Sequence, residues 1–260
     1  MNRMLFTFLE PMQPLNTATV PKSTQYIYQV KWDGVRILAH IGGQRVWLHN
    51  RQLKERTLHY PELKKLAVQV SGDAILDGEV VTLHRGKPNF PLLLKRDLVN
   101  PHAPAAPYKI KRLMKEIPIF YLVFDLLYYN GLDLRFKPLW ERQALLAEVL
   151  TTDDSINCVE SFSEGDSLFK AVTEQKMEGI VAKVKDSYYI SGKKHHLWWK
   201  IKCRQQQLVA IGGYTEKNGR INALLAGVYY ENQFIYVGRV AAGCFWYNKN
   251  QAERNLKIPA

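Results

Sequence analysis

The segment KWDGVR, residues 31–36, sets a lysine at the end of an alternating run and directly before an Asp-Gly turn. Side chains in the run 26–32 alternate faces, so Tyr26, Tyr28, Val30 and Trp32 share one face and Ile27, Gln29 and Lys31 the other. Lys31 therefore projects from the polar face, where it is placed to act. A free lysine titrates at about 10.4 and is protonated at neutral pH. A nucleophilic Lys31 needs nearby cations or a metal to depress that value. Alone, a lysine before Asp-Gly reads more readily as a solvated strand end.

Four further segments carry reactive types at strand spacing. In AILDGEVVTL (74–83), Asp77 and Glu79 lie on one face, two residues apart; a solvated edge strand would look the same. In EGIVAK (178–183), Glu178 and Lys183 sit at opposite ends of an apolar strand and on opposite faces by alternation. In LWWKIK (197–202), Lys200 and Lys202 share a face with Trp198. Two lysines on one strand face repel unless an anion lies between them, and a phosphate is the obvious candidate; a solvated basic edge is the alternative. In IFYLVFDLLYYNG (119–131), Phe120, Leu122, Phe124 and Leu126 share a face by alternation. Such aromatics are either core or a flat surface on which a base can stack.

The elements that must hold these residues are short β runs, separated by Gly, Asn, Asp and Pro, with helices between them. Helices are expected over 60–70, after a Pro61 start, over 90–98 and over 139–150. NPHAPAAP (100–107), with three prolines in eight residues, is expected to be a loop. The mixture predicts an α+β fold with antiparallel sheets. After 205–207 only β signal remains, with turns at KNGR and EN between three runs, which predicts a meander of hairpins. We therefore divide the chain into domains 1–205 and 206–260.

The 260 residues are 47% hydrophobic and 23% charged, enough for a sizeable core. No run reaches the roughly 18 apolar residues of a membrane helix, and no secretory signal is evident. Cys158, Cys203 and Cys244 are too scattered for a zinc site and suit a reducing compartment, so a cytoplasmic protein is expected. The net charge of +12 favours a polyanionic partner and says nothing of fold.

In their order, these segments resemble the motifs of the covalent nucleotidyltransferases, the superfamily of DNA ligases, RNA ligases and mRNA capping enzymes. KWDGVR looks like the K-x-D-G-x-R nucleophile motif, and NRQ (50–52) like the arginine motif that follows it; DGE, YLVFDLLYYNG, EGIVAK and WWKIK continue the series. Each is weak alone; together they are specific and span about residues 26–240. FDLLYYNG followed by LRFKPLWERQALL resembles ATP-dependent DNA ligases, closest to the ligase domain of bacterial end-joining ligases. IGGYT and YVGRV resemble the start of their OB-fold domain, so an adenylation domain followed by a partial OB-fold-like β domain is implied.

The resemblance implies that Lys31 attacks the α-phosphate of ATP and carries AMP, with nicks in duplex DNA as substrate. Arg36 and Arg51 would contact phosphate and ribose, and Arg51 the 5′-phosphate of the nick. Glu79 would bind ribose and, with Glu178, hold Mg2+ or Mn2+. Phe124 would stack on adenine, Lys200 and Lys202 would hold the α-phosphate, and Lys183 would add a phosphate contact. A Ku-like end-binding protein is the candidate partner, and a monomer with no separate N-terminal DNA-binding domain is expected. Competing readings are an RNA ligase, a capping-type guanylyltransferase, or an inactive DNA end-binding module. Three departures stand out. Gln29 replaces the usual glutamate two residues before the lysine, and it can still accept from an adenine amino group. Leu53 replaces the glycine after the arginine motif, which puts that turn in question. The family's C-terminal motif is missing before Ala260, so sealing of a pre-adenylated nick is expected to outpace self-adenylation.

Overall fold

Period-two alternation of apolar residues in the longer strands divides them between two buried layers, and this sets the architecture. The structure, a computed structural model, describes residues 4–203 and 207–241. The chain divides into two compact units, Met1–Cys203 and Arg204–Ala260. The expected boundary at 205–206, Cys244 and the chain end on which the C-terminal motif was read lie outside the described residues.

The first unit opens with β1 (Gln13–Thr17), β2 (Tyr26–Lys31), β3 (Val35–Gly42) and β4 (Arg45–Asn50). A 3-10 turn (Pro61–Lys65) runs into α1 (Leu66–Gln69), followed by β5 (Ala74–Val81) and the short hairpin β6 (Leu83–His84) and β7 (Lys87–Pro88). Next come α2 (Phe90–Asp97), α3 (Ala106–Glu116), β8 (Phe120–Tyr129) and β9 (Leu132–Asp133). The unit closes with α4 (Leu139–Val149), β10 (Ile156–Cys158), α5 (Gly165–Glu174), β11 (Gly179–Val184) and β12 (Lys194–Lys202).

Two sheets result, one in the order β1-β12-β11-β2 and one in the order β10-β8-β5-β3-β4, with β9 on β8. In β3, Ile37, Ala39 and Ile41 point into the cluster shared with Tyr60, Leu63, Leu66 and Leu146, while Leu38 points the other way. That second layer joins the two sheets through Leu38, Ile75, Leu127, Tyr128, Tyr189 and Trp198. A third cluster, with Tyr28, Ile180 and Ile201, packs the far face of the first sheet against Leu168 and Val172 of α5. The unit is layered, helix on sheet on sheet on helix.

Four expectations change. The sheets are not wholly antiparallel, because β1 pairs parallel with β12 and β10 parallel with β8. Parallel neighbours need a long crossover, and α4 supplies it between β8 and β10; a three-residue strand is too short to read in advance. NPHAPAAP is not a loop throughout: α3 begins at Ala106, with Pro107 in the first turn, where a missing N–H costs nothing. α3 and α5 were not among the expected helices. The aromatic alternation of β8 also breaks, as described below.

In the second unit, β13 (Ala210–Lys217), β14 (Arg220–Tyr230) and β15 (Gln233–Ala241) form an antiparallel three-stranded sheet in that order. Asn218 and Gly219 both take positive φ at the first turn, and Glu231 and Asn232 do so at the second. These are the backbone conformations that match a hairpin turn to the twist of its strands.

Candidate active site

Lys31 ends β2 and stands opposite Gly179 of β11, which in turn stands opposite Lys202 of β12. Both lysines thus flank one point on the sheet, and the Glu178 carboxylate fills it. Lys31 Nζ donates to Glu178 Oε2 at 2.5 Å and Lys202 Nζ to Oε1 at 2.7 Å. Burial raises the Glu178 carboxyl, but the hydrogen bonds from Lys202 and Lys31 outweigh it and hold it below the usual range. Alternation had put Glu178 and Lys183 on opposite faces. Glu178 instead reaches the face of Lys31, because it precedes the strand and Gly179 takes φ +148°. A Cβ on Gly179 would lie 2.0 Å from the Ile201 carbonyl oxygen, so this approach needs glycine.

Gly34 has a similar task, since a Cβ there would lie 2.2 Å from the Val80 carbonyl oxygen. The Asp-Gly turn after Lys31 therefore closes directly onto β5. Asp33 has its carboxyl raised by burial and by the Glu178 charge, with Lys31 and Lys202 opposing. Lys200 is lowered by burial first and then by the neighbouring charges of Lys31, Lys202, Lys194 and Arg51. This is the repulsion the sequence implied; Lys31, Lys200 and Arg51 line the cleft, whereas Lys202 is half-exposed and held by Glu178 beside it.

The cleft encloses about 500 Å3, within the usual size range for a small-ligand site, and lies between the two sheets. The first sheet lines it with Gln29, Lys31, Lys183 and Lys200, and the second with Arg36, Glu79 and Phe124, while α2 closes one side. Arg51 lines it from the turn after β4. In that turn Leu53 takes φ +58°, the left-handed conformation suited to glycine, so the turn persists with a strained leucine. Gln29 is buried, and its Nε2 donates to Ser161 Oγ at 3.0 Å and to the Val159 carbonyl at 3.4 Å.

β5 is a central strand and not an exposed edge, and Asp77 is fully buried. Asp77 receives Arg36 through two hydrogen bonds, of 2.8 Å and 2.5 Å, and accepts from the Tyr189 hydroxyl at 2.6 Å. Burial lowers the Arg36 guanidinium, and Asp77 more than restores it, so Arg36 stays a fixed cation. Glu79 is pushed up to about 8 by burial, against the pull of Lys31 and Arg36.

Phe124 owes its aim to a β-bulge. Gly78 pairs with Val123 and Asp77 with Asp125, so Phe124 is the extra residue. The expected common face of Phe124 and Leu126 is lost: Leu126 enters the outer core, whereas Phe124 packs beside Trp198 and borders the cleft. Arg36 lies 5.1 Å from the Phe124 ring centroid. Lys183 Nζ lies 4.2 Å from the same centroid and 4.3 Å from that of Trp198. Among the described residues it has no hydrogen-bond partner, and burial lowers its ammonium to about 7 despite Asp125 and Asp77. Lys183 is thus set under the rings, apart from the cations around Lys200.

Sequence reasoning passed over Tyr189, which orients Asp77 and Arg36, and treated Trp198 only as a face marker. Tyr189 follows a turn with no motif, and only the fold brings it to Asp77, 112 residues away. Among the described residues no group of three or more His, Cys, Asp or Glu side chains could hold a metal. Two acidic side chains, the Glu178 carboxylate and Glu79, flank Lys31, and a cation bound there would displace the Glu79 proton. That sparse oxygen set fits Mg2+, which is usually held by one or two carboxylates together with substrate phosphates.

A family model described as ATP dependent DNA ligase domain matches residues 9–202. The DNA ligase of Thermococcus onnurineus (strain NA1) is 29% identical over 257 residues, which are 90% of this chain and 44% of that protein. The SPbeta prophage-derived DNA ligase-like protein LigB of Bacillus subtilis (strain 168) is 29% identical over 214 residues, 81% of this chain and 73% of that one. Among solved structures, mycobacterial DNA ligase D complexed with ATP and MES superposes with a TM-score of 0.64 at 28% identity, covering 96% of this chain and 76% of that chain. The ligase domain of M. tuberculosis LigD gives 0.62 at 27% identity, covering 92% and 75%. The chain spans less than half the length of the archaeal DNA ligases it matches, 44% for T. onnurineus and 39% for Aeropyrum pernix. With its cleft, its Lys31 and a family match over three-quarters of its length, the chain belongs to the ATP-dependent DNA ligase domain family.

Proposed function

We propose that the chain seals nicks in duplex DNA at the expense of ATP, through a lysyl-adenylate on Lys31 and then a DNA-adenylate. The observation that carries this reading is Lys31 Nζ, partly exposed in the cleft, bonded to Glu178 and close to the charges of Lys200 and Lys202. Once Lys31 has passed one ammonium proton to water, with the Glu178 carboxylate orienting its Nζ, its lone pair attacks the α-phosphorus of ATP. The bond to the bridging oxygen breaks, pyrophosphate leaves and a phosphoramidate remains. A 5′-phosphate at the nick then attacks that phosphorus and frees Lys31. Attack by the 3′-hydroxyl closes the strand and releases AMP. Each step develops charge on phosphoryl oxygens, which Lys200 in the cleft can stabilise, with Lys202 within reach once it leaves Glu178.

Phe124 offers the face on which adenine stacks, and Glu79 on the cleft wall can hydrogen-bond a ribose hydroxyl. Arg36, fixed by Asp77, and Arg51 supply contacts to phosphate and ribose. Mg2+ or Mn2+ would be held by Glu178 and by Glu79 once the cation displaces its proton, and would supply charge neutralisation at the phosphates. We read β13, β14 and β15 as the first strands of an OB-fold-like domain.

The test is incubation with α-labelled ATP and magnesium, followed by a denaturing gel. Label should be retained by the wild-type chain and lost in Lys31→Ala. Equal labelling of the variant would overturn the assignment, and labelling from GTP in place of ATP would point to capping chemistry.

A further inference from the structure

The segment 84–116, between β5 and β8, carries eight lysines and arginines and two acids, half of the chain's net +12. Of the eight cations only Arg96 is buried, held by Glu62. The other seven are exposed: Arg85, Lys87, Lys95, Lys109, Lys111, Arg112 and Lys115. Four of them lie on α3, and their arrangement is regular. Ala106, Ile110, Leu113 and Ile117 follow helical spacing and are buried against Val99 and Leu92. The opposite face carries Tyr108, Lys111, Arg112 and Lys115, at i, i+3, i+4 and i+7, so all four point outward as one stripe. Tyr108 is 82% exposed.

A solvated helix face ordinarily mixes its charges, as α5 does with exposed Asp166, Lys170 and Glu174. α4 presents only the acids Glu141 and Glu148 to solvent, its Arg142 being buried on Asp125. α3 has one acid, Glu116, in a surface pair with Arg112 at 3.4 Å. Such an exposed i,i+4 pair holds its partner weakly. The stripe is also tied to the cleft. α3 packs on α2, and Phe90, Leu94, Asp97 and Leu98 of the α2 segment line the cleft.

We infer that the Tyr108–Lys111–Arg112–Lys115 face of α3 is a docking surface for the phosphate backbone of duplex DNA flanking the nick. This rests on the ligase reading above, which makes duplex DNA the substrate at the adjoining cleft. Neutralising backbone phosphates releases condensed counterions, so each contact contributes about 0.9 to the slope of log affinity against log salt. At about 0.1 M salt that is roughly eightfold in affinity per contact.

The test titrates labelled nicked duplex with the full chain at several salt concentrations. The variant is Lys111→Gln/Arg112→Gln/Lys115→Gln, and the comparison is Lys170→Gln/Lys176→Gln, two exposed lysines remote in sequence from α3. The α3 variant should bind at least about tenfold more weakly near 0.1 M salt, with a slope shallower by about two to three units. Its labelling from ATP without DNA should equal that of wild type, and the comparison variant should bind as wild type does. Wild-type affinity and slope in a folded α3 variant would overturn the inference, and so would an equal loss in the comparison variant. If the triple variant does not fold, Lys115→Gln alone should still lower the slope by about one unit. Failure of Lys31 to take label in the wild-type chain would instead strike the ligase reading, and the binding comparison would remain readable.

Discussion

Replacing Lys183 with methionine should stabilise the protein, by an amount that shrinks as pH rises. Lys183 is 3% exposed, makes no hydrogen bond among the described residues, and has its ammonium lowered to about 7, chiefly by burial. In the unfolded chain the same amine titrates near 10.5. Between those values the unfolded state holds a proton that the folded state has lost, so the lysine favours unfolding by about 1.4 kcal/mol for each pH unit below 10.5. That cost levels off below pH 7, where both states are charged, and vanishes above pH 10.5. Methionine has nearly the same shape and suits the gap between the Phe124 and Trp198 rings. Lys183→Met should therefore gain at most about 4 kcal/mol at pH 7.5 and about 2 kcal/mol at pH 9. Urea unfolding of both proteins at the two pH values measures the difference directly. A variant less stable than wild type, or a gain that does not change with pH, would show that Lys183 is not a desolvated amine and would refute the reasoning.

Gly179→Ala should damage the site and the fold together, because the added Cβ meets the Ile201 carbonyl oxygen at 2.0 Å and the backbone there has φ +148°. β12 must shift, and a displacement of about 1 Å at Lys200 and Lys202 should slow lysyl-adenylate formation about a hundredfold, which a time course of labelling would show. Leu53→Asn should raise the melting temperature, since asparagine tolerates the left-handed φ of +58° that costs leucine roughly 1 kcal/mol; a lower melting temperature counts against strain in that turn. The buried pair His40 and His49, with Nε2 atoms 3.0 Å apart, should make the fold acid-sensitive. Burial and then His49 lower His40 to about 3, so its stabilising contribution is complete above pH 6.5 and declines as pH falls below that. About 2 kcal/mol should be lost by pH 5, and His40→Gln should flatten that loss in unfolding curves taken between pH 7 and 5.

Much of the site could be read from local spacing. The alternation in residues 26–32 put Lys31 and Gln29 on one face, the Asp-Gly turn followed from residue type, and the two-residue spacing of Asp77 and Glu79 survived into the central strand β5. These features depend on one strand's own period, which the sequence carries in full. The three-stranded meander of the second unit was legible for the same reason, since Asn218–Gly219 and Glu231–Asn232 punctuate runs of clear β character. What failed were readings that assumed the period where it stops. Glu178 turns to Lys31 because Gly179 breaks the alternation, and Phe124 reaches the cleft because one extra residue sits between Val123 and Asp125 in the ladder with β5. A bulge is defined by its partner strand, and that partner lies about 45 residues away in the chain. Only tertiary structure decided the rest: the Asp77–Arg36–Tyr189 network, the depth of Lys183 and the parallel edges at β1 and β10. Burial and long-range pairing are properties of what surrounds a residue, so the types and spacing along the chain named the reactive groups while the packing of the two sheets set which were charged, which were held and which way they faced.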